Sequence, residues 1–469
     1  MLHLSLNQPE LVYELAAEHD NPNWVKVLRI LKMDKTYQSA EKSWYTDTDG
    51  IKYLDFHTGE GVASLGHNHP VVKKAITEVL EKNIPGGIQI QYNALSGRLA
   101  KEITSLLPKK LNKVFFTNSG AEAVETALKF ARSFSKKSRF ISCVNAFHGL
   151  SFGALSIIGE DYFKEGIGPL LPGCQTVEFG NLQQLEDEFK KNDVAVFISE
   201  AIQGREVTIP DQDYFMGVQQ LCKKYEVLFI MDEIQTGLGR TGKMFALEHW
   251  GVEPDMVLIA KALSGGIVPV GAVIYTDEIY AKVFNNLRRS YVHHSTFGRN
   301  SLAMAAGLAT LSVIEDENLL EHVSQMSQKI HDALLTFQDK YEIIKEVRVQ
   351  GLMIGIELGA PRSIKMRVNW EIIQAASPGL FAQLIVLPLM EEHHIIAMVS
   401  GENDVIKLLP PLNITADEVD YFINALDQVL NEVHSSHSKN WARLLDIVKS
   451  TSHSSIKSYV KSAQTLLLG

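Results

Sequence analysis

The chain has 469 residues, 45% of them hydrophobic and 21% charged, and a formal net charge of -10 at pH 7. A chain of this length exceeds what one compact core accommodates, so more than one domain is expected. The acidic balance argues against a nucleic-acid partner, which requires a concentrated basic surface. The composition is typical of a large enzyme that acts on small molecules.

The N-terminal residues show no targeting signal. Glu10 and Glu14 lie in a helical pattern that lacks the basic start and apolar centre of a signal peptide, and no stretch of the sequence approaches the length of a membrane span. Cys143, Cys174 and Cys222 lie far apart without metal-ligand spacing. The sequence therefore predicts a cytoplasmic protein with no metal site.

Apolar and amphipathic segments alternate along most of the chain, as a mainly parallel sheet with crossover helices requires. Residues 44–55 precede them and predict a hairpin with a glycine turn. The predicted sheet strands are residues 113–116, 140–144, 194–199, 227–231, 256–260 and 270–275. After about residue 305 the pattern changes to helices and one strand pair at residues 347–358.

This pattern predicts an α/β protein with a large and a small domain. We expect residues 70–305 to form the large domain, and residues 1–69 to join residues 306–434 in the small α+β domain. Residues 435–469 are expected to form a linker and a helical tail, because apolar residues recur there at helical spacing. The favoured interpretation is that the tail packs on a dimer of this chain. The alternative is that its helix contacts a membrane surface.

Two ionisable residues at the ends of predicted strands indicate the chemistry. Asp232 follows the apolar run 227–231, and Lys261 follows the run 256–260. An aspartate held against a pyridine nitrogen keeps that nitrogen protonated, so the ring withdraws the electron pair of a breaking bond. A lysine with few neighbouring charges loses its proton near neutral pH and forms a Schiff base with an aldehyde. Together they predict pyridoxal 5'-phosphate, although either residue alone is more often a cap or a surface charge.

The glycines after Asp232 match two nucleotide-binding patterns that their context excludes. Gly237, Gly239 and Gly242 have the dinucleotide spacing, but they do not turn directly from a strand into a helix. Met244 stands where a triphosphate loop needs serine or threonine to hold magnesium. We interpret this segment as a flexible loop beside the cofactor.

A phosphate site is predicted where Ser119, Gly120 and Ala121 leave a strand and open a helix. Free backbone N–H groups and the positive end of the helix dipole meet there. The alternative is an ordinary serine-capped helix without a ligand. The presence of Asp232 and Lys261 in the same chain favours the phosphate.

Residues 232–237, followed by Lys261, resemble the signature of class III aminotransferases, which include ornithine, acetylornithine and putrescine aminotransferases. The resemblance covers about residues 44–412, and residues 146–149 and 169–173 are most similar to the putrescine branch. It implies the fold type I architecture, with a mostly parallel seven-stranded sheet, helices on both faces and a smaller α+β domain. It also implies transamination in two ping-pong half-reactions through a Schiff base of Lys261.

The resemblance further implies which residues contact the cofactor. The matching positions are Ser119, Gly120, Ala121, Phe147, His148, Glu200, Asp232, Gln235, Lys261 and Thr296. Phe147 matches an aromatic that stacks on the ring, whereas packing is an alternative role for His148. Thr296 matches a threonine that completes the phosphate site of the partner subunit, so the active unit is expected to be a homodimer.

The substrate positions depart from the ornithine-type pattern. Leu150 and Lys407 stand where those enzymes have carboxylate-binding arginines. Arg205 either replaces this contact or is a solvent-facing charge. Glu60 either pairs with the far ammonium of a diamine or lies at the pocket rim, in a position that is aromatic or aliphatic in relatives.

These departures predict the substrate class. We expect an amine or an amino acid such as glutamate as donor and an aldehyde or ketone as acceptor, with one substrate that lacks an α-carboxylate, such as a putrescine-like diamine or a long-chain aldehyde. A decarboxylase, racemase or aminomutase is the alternative, because it uses the same Asp232 and Lys261 on a differently oriented bond. A non-catalytic binding protein on the same fold is a third reading.

Overall fold

The computed structural model describes residues 8–87, 90–376, 379–401, 403–435 and 439–451. The chain divides into two compact units. The larger unit consists of Gly59–Gly204 and Thr208–Ser324, and the smaller unit of Met1–Thr58, Arg205–Val207 and Gln325–Gly469. The domain boundaries expected at residues 69, 305 and 434 stay predictions.

The strands, numbered in chain order, are β1 Tyr37–Glu41, β2 Trp44–Asp47, β3 Lys52–Asp55, β4 Leu111–Thr117, β5 Arg139–Cys143, β6 Cys174–Val177, β7 Val194–Glu200, β8 Leu228–Asp232, β9 Met256–Ile259, β10 Gly271–Thr276, β11 Ile344–Gln350, β12 Met353–Leu358, β13 Ile395–Ile396, β14 Met398–Ser400 and β15 Val405–Leu408. The α-helices are Pro9–His19, Pro22–Ile30, Pro70–Glu81, Ser96–Ser105, Gly120–Ser135, Phe152–Ser156, Leu182–Phe189, Tyr214–Tyr225, Asp277–Val283, Ser301–Asp316, Leu319–Lys340, Ile364–Ala376, Gln383–His393, Ala416–His434 and Lys439–Thr451.

The larger unit is built on a seven-stranded sheet of order β4-β10-β9-β8-β7-β5-β6. β10 is antiparallel to both of its neighbours, and the remaining pairs are parallel. The predicted α/β fold of type I is therefore confirmed, and the six predicted strands lie within two residues of their expected ends. The seventh strand, β6, was not predicted.

The central strands are continuous apolar runs because helices cover both of their faces. Every residue of β7, β8 and β9 is buried, which is characteristic of parallel strands inside an α/β protein. The helix Gly120–Ser135 packs Ala127 and Phe130 against Val196 and Ile230 of this sheet. The helix and the sheet thus share one core.

The register of the central strands brings their carboxyl ends together. Glu200 of β7 pairs with Asp232 of β8, which in turn pairs with Leu258 of β9. Lys261 follows the end of β9 by two residues. In open α/β sheets, ligands bind outside these strand ends.

The smaller unit contains two four-stranded sheets, of order β1-β2-β3-β13 and β11-β12-β15-β14. The hairpin predicted at residues 44–55 corresponds to β2 and β3, and the pair predicted at residues 347–358 to β11 and β12. The short strands that complete the second sheet were not predicted.

The described part of the tail is a helix that packs on its own unit. Trp441 and Leu444 of the helix Lys439–Thr451 are buried, and Trp441 Nε1 donates a hydrogen bond to the Val433 carbonyl at 2.9 Å. Residues 436–438 and 452–469 of the predicted linker and tail lie outside the described residues. Among the residues described, none of the helices has the length and apolarity that crossing a bilayer requires.

Candidate active site

Asp232, at the end of β8, is held by two hydrogen bonds in a buried setting. His148 Nδ1 lies 2.7 Å from Asp232 Oδ2, with 0% and 3% of the two side chains exposed. Because a carboxylate only accepts hydrogen bonds, Nδ1 is the donor. The backbone N–H of Ile234 donates to Asp232 Oδ1 at 3.0 Å. The carboxylate therefore has one fixed orientation.

The charges around His148 favour its protonated form. Burial lowers the pKa of His148, but the hydrogen bond to Asp232 and the negative charges of Asp232 and Glu200 outweigh burial and raise the pKa above its ordinary 6.5. His148 Nε2 is buried and has no hydrogen-bond partner among the described residues. The sequence did not reveal this pair, since its members are 84 positions apart.

Glu200, at the end of β7, orders two loop segments beside Asp232. One carboxylate oxygen accepts the N–H of Phe147 at 3.1 Å, and the other accepts the N–H of Gly204 at 2.9 Å. Burial raises the pKa of Glu200, and the charge of Asp232 adds to this effect. Phe147, predicted to stack on the cofactor ring, is half-buried and contacts Phe163 edge-on.

The predicted phosphate loop lies beside the end of β8. Ser119 caps the helix Gly120–Ser135 by accepting the N–H of Glu122 at 3.1 Å. A Cβ on Gly120 would lie 2.9 Å from Ile234 Cδ1, so a larger residue at this position would require the Ile234 side chain to shift. A Cβ on Gly149 would lie 2.7 Å from the Cβ of Ala121. In the same loop Ser119 is exposed, and Gly120 and Ala121 are half-buried.

Lys261 has an unusual backbone conformation. Its φ of 37° lies in the left-handed region that non-glycine residues rarely adopt. It opens the short 3-10 helix Lys261–Ser264 directly after β9 and is half-buried. Such backbone strain costs of order 1–3 kcal/mol and clusters at functional sites.

Gln235 and Glu60 meet on the larger unit, a contact that the sequence did not predict. Gln235 Nε2 donates to the backbone carbonyl and to the carboxylate of Glu60, both at 3.1 Å. Glu60 has a φ of 63° and lies between Gly59 and Gly61, which also have positive φ angles. The left-handed turn therefore presents an acidic side chain to a residue of the predicted cofactor site.

The remaining predicted residues are distributed more widely. Leu150 is 55% exposed, and Thr296 is also exposed. Ser295, which precedes Thr296, accepts a hydrogen bond from Asn118 of its own chain at 2.8 Å. Their predicted roles stay predictions.

Arg205 and Lys407 belong to the smaller unit. Both are buried, with 7% and 2% of their surface exposed. The expectation that Arg205 is a solvent-facing charge is therefore wrong, and its alternative role in contacting a carboxylate stays a prediction. Lys407 lies in the middle of the sheet, on β15.

The glycine-rich segment after Asp232 is packed rather than loose. Leu238 and Arg240 are each 2% exposed, and Gly242 donates a backbone hydrogen bond to Gly239 at 3.0 Å. The interpretation of this segment as a flexible loop is wrong. Glu233 contributes to the packing, because its buried carboxylate accepts the backbone N–H of Leu247 at 2.7 Å.

Comparison with known proteins decides the family. Residues 30–430 match the family model of class III aminotransferases. The chain belongs to this family. As a class III aminotransferase it uses pyridoxal phosphate and is an enzyme, a transaminase. Family members are generally dimeric and act on small-molecule amine and keto substrates.

Solved structures show the same likeness. The ornithine aminotransferase from Toxoplasma gondii, which holds pyridoxal phosphate at partial occupancy in its active site, is 28% identical with a TM-score of 0.76, over 85% of this chain and 90% of the other. The acetylornithine aminotransferase from Elizabethkingia anophelis is 30% identical with a TM-score of 0.69, over 85% and 94%. The (S)-enantioselective omega-transaminase from Thermomicrobium roseum is 28% identical with a TM-score of 0.76, over 86% and 93%.

The residues present fit pyridoxal phosphate. Asp232 has unused acceptor capacity on an oriented carboxylate. Gln235 Oε1 and His148 Nε2 are buried polar atoms without a partner among the described residues, as expected of atoms that face a ligand. The loop at Gly120 and the N-terminus of the helix Gly120–Ser135, which Ser119 caps, suit a phosphate group.

Proposed function

We propose that this transaminase acts on an amine or aldehyde that has no α-carboxylate, with an amino acid such as glutamate, or its oxo acid, as the second substrate. The Glu60–Gln235 contact is the observation that carries the proposal. Leu150 supports it, since this apolar side chain stands at one position where ornithine-type relatives have an arginine.

Each predicted residue has a distinct part in the reaction. Pyridoxal phosphate supplies an electron sink for the pair left when a bond to the substrate carbon breaks. Asp232 would hold a negative charge against the pyridine nitrogen, and His148 fixes the orientation of that carboxylate. Lys261 Nζ would hold the cofactor and, as a free amine, would carry the proton to and from the substrate carbon.

The other residues bind and orient. Ser119, Gly120 and Ala121 would bind the phosphate through backbone N–H groups at the start of the helix Gly120–Ser135. Phe147 would lie against the ring, and the hydrogen bond from its N–H to Glu200 holds this segment. Thr296 would complete the phosphate site of the partner subunit in a homodimer. The cytoplasmic location stays a prediction.

Glu60 provides the selectivity for an amine. Its partner Gln235 is a neutral amide, so the hydrogen bond orients the carboxylate without removing its negative charge. An ammonium group on the distal end of a diamine forms a charge-assisted hydrogen bond with such a carboxylate. A substrate with a carboxylate in the same place is repelled by it.

An assay with three substrate classes tests the proposal. Purified enzyme is incubated with putrescine or ornithine together with 2-oxoglutarate as amino acceptor, or with a long-chain aldehyde together with glutamate as amino donor, and product formation is measured. We expect turnover of putrescine or of the aldehyde above that of ornithine. Efficient turnover of ornithine alone would refute the proposal.

A substitution at Glu60 tests the residue itself. Glu60→Gln keeps an acceptor for Gln235 but removes the charge, so kcat/KM for putrescine should fall roughly tenfold. The matched comparison is butylamine, which has the same chain length without the second ammonium, and its kcat/KM should not change. Equal losses for both amines would contradict the pairing.

A further inference from the structure

An open groove lies between one face of the helix Gly120–Ser135, the start of the helix Phe152–Ser156 and the loop of residues 169–172. Its volume is about 710 Å³, and small-molecule sites typically have volumes of about 300–1,000 Å³. All of the residues that line it belong to the larger unit. We call it the helix groove, and it is large enough for a small ligand.

The helix groove begins one helical turn beyond the predicted phosphate loop. Glu125, Leu128 and Arg132 follow Ala121 at a spacing that places all four on one face of the helix. At a rise of about 1.5 Å per residue, the groove extends from about 6 to about 17 Å from Ala121 along the helix axis. Among the residues that the structure describes, none of the predicted cofactor contacts lines it. The groove is therefore separate from the candidate active site.

Hydrogen bonds within the larger unit hold two walls of the helix groove in place. The carboxylate of Glu125 accepts the backbone N–H of Gly153 at 2.7 Å, which fixes the start of the short helix. Ser156 Oγ accepts the N–H of Leu171 at 2.9 Å, which fixes the loop opposite that helix. The groove is thus formed before any ligand binds, and the Glu125 carboxylate is engaged within the protein.

The walls of the helix groove are mainly apolar. Phe152 is 64% exposed although it is a large aromatic side chain. Leu170 and Leu171 are half-buried, whereas Pro169 and Pro172 are exposed. Contiguous exposed apolar surface of this kind marks ligand-binding grooves and interaction sites. A ligand with an alkyl chain would cover this surface and remove it from water, which is favourable.

Arg132 places a cation without a carboxylate partner in the helix groove. Its Nη2 donates a hydrogen bond to the Ser138 carbonyl at 2.9 Å, and its guanidinium carbon lies 4.5 Å from the centre of the Phe140 ring. These two contacts orient the half-buried side chain. Arg132 makes no ion pair in the described part of the chain. Because a guanidinium has five N–H donors, most of the donor capacity of Arg132 is unused by the protein.

Lys129 adds a second positive charge three residues before Arg132 on the same helix. Its Nζ lies 3.2 Å from Nδ1 of His293. Burial and the charge of Lys129 lower the pKa of His293 to about 4, so the imidazole is neutral at pH 7 and does not compensate the lysine. Residues three apart on a helix are neighbours. The two cations therefore favour an anionic group at this part of the groove.

We propose that the helix groove binds an alkyl carboxylate, with its chain along Phe152 and the loop of residues 169–172 and its carboxylate at Arg132 and Lys129. The donor fork of an arginine matches a carboxylate, and a lysine adds a point charge. The ligand is thus an anionic amphiphile of the fatty-acid type. The proposal is independent of the proposed function, because none of these side chains takes part in the reaction.

Binding of octanoate to the cofactor-loaded protein, measured by calorimetry, tests the assignment of the head group. The uncharged comparison is octanol, which has the same chain length without the carboxylate. Arg132→Gln should weaken octanoate binding about tenfold and leave octanol binding unchanged, and Arg132→Lys should retain part of the affinity for octanoate. Arg98→Gln is the matched control, since Arg98 is an exposed arginine of the same unit, and it should bind as the wild type.

The apolar wall is tested with Phe152→Ser. Both octanoate and octanol should bind about tenfold more weakly, because the alkyl chain loses its apolar contact. The matched control is Met216→Ser, which removes a 38% exposed apolar side chain elsewhere on the larger unit. This control should bind both ligands as the wild type does.

The outcomes decide the proposal without reference to the reaction. No octanoate binding by the wild type, as expected if a second copy of this chain covers the groove, would overturn it. Wild-type affinity for octanoate in Arg132→Gln, or equal losses for octanoate and octanol in that variant, would overturn the carboxylate assignment. The expected octanoate series supports the groove even if the wild type does not react with putrescine, so the two proposals are tested separately.

Discussion

Substitution of His148 should show that its bond to Asp232 stabilises the protein. Removing one partner of a buried ion pair typically costs about 3–5 kcal/mol. Asp232 keeps the N–H of Ile234 in this case, so we expect the lower end, about 3 kcal/mol, for His148→Leu. His148→Asn retains a neutral donor near the position of Nδ1, and its cost should be about 1 kcal/mol.

The dependence of this difference on pH follows from the raised pKa of His148. Protonation of the folded state contributes stability that is fully present below pH 6.5, the ordinary value, and is lost as the pH rises through the raised value. The free energy of unfolding of the wild type should therefore exceed that of His148→Asn by less as the pH rises. The free energy of unfolding of the cofactor-free protein, measured by denaturant titration, tests this. Equal free energies of unfolding of the wild type and His148→Asn, or a stability advantage of the wild type that grows with pH, would refute the reasoning.

Two further substitutions test the packing of the site. Burial raises the pKa of Glu233 to about 7 from 4.5. The stability that the protonated form gives the fold is fully present below pH 4.5, and relative to Glu233→Gln up to about 3 kcal/mol of the free energy of unfolding should be lost by pH 7. A difference between the two proteins that does not change with pH in denaturant titrations would contradict this. Gly149→Ala forces a side chain against Ala121 at a φ of 113° and should raise the Kd for pyridoxal phosphate about tenfold, at a strain of ~1–3 kcal/mol. Gly97→Ala, where the new Cβ meets open space, is the control and should bind the cofactor normally in a fluorescence titration.

The sequence predicted the framework of the fold because its signals are local. The strands β7, β8 and β9 are apolar runs, and hydrophobic runs bounded by polar residues can be read without any tertiary contact. The edge strand β6 was missed, since Gln175 and Thr176 interrupt its apolar pattern. The attachment of residues 205–207 to the smaller unit was also missed, because it depends on partners such as Arg348, 142 positions away.

The sequence named candidate residues for the site but did not indicate the contacts between them. Asp232 and Lys261 stand out at strand ends, but periodicity says nothing about which side chains meet. The bond of Gln235 to Glu60 joins residues 175 positions apart and depends on a left-handed turn at Glu60. The burial of Arg205 could not be read from its neighbours in sequence, since burial depends on the tertiary structure.

The central claim is that the side chain of Lys261 is covalently linked to pyridoxal phosphate. Purified protein is reduced with borohydride, digested, and the peptides are mapped by mass spectrometry. We expect the cofactor on the peptide that contains Lys261 and no label on this peptide in Lys261→Ala. An unlabelled Lys261 in a cofactor-loaded preparation would contradict the account.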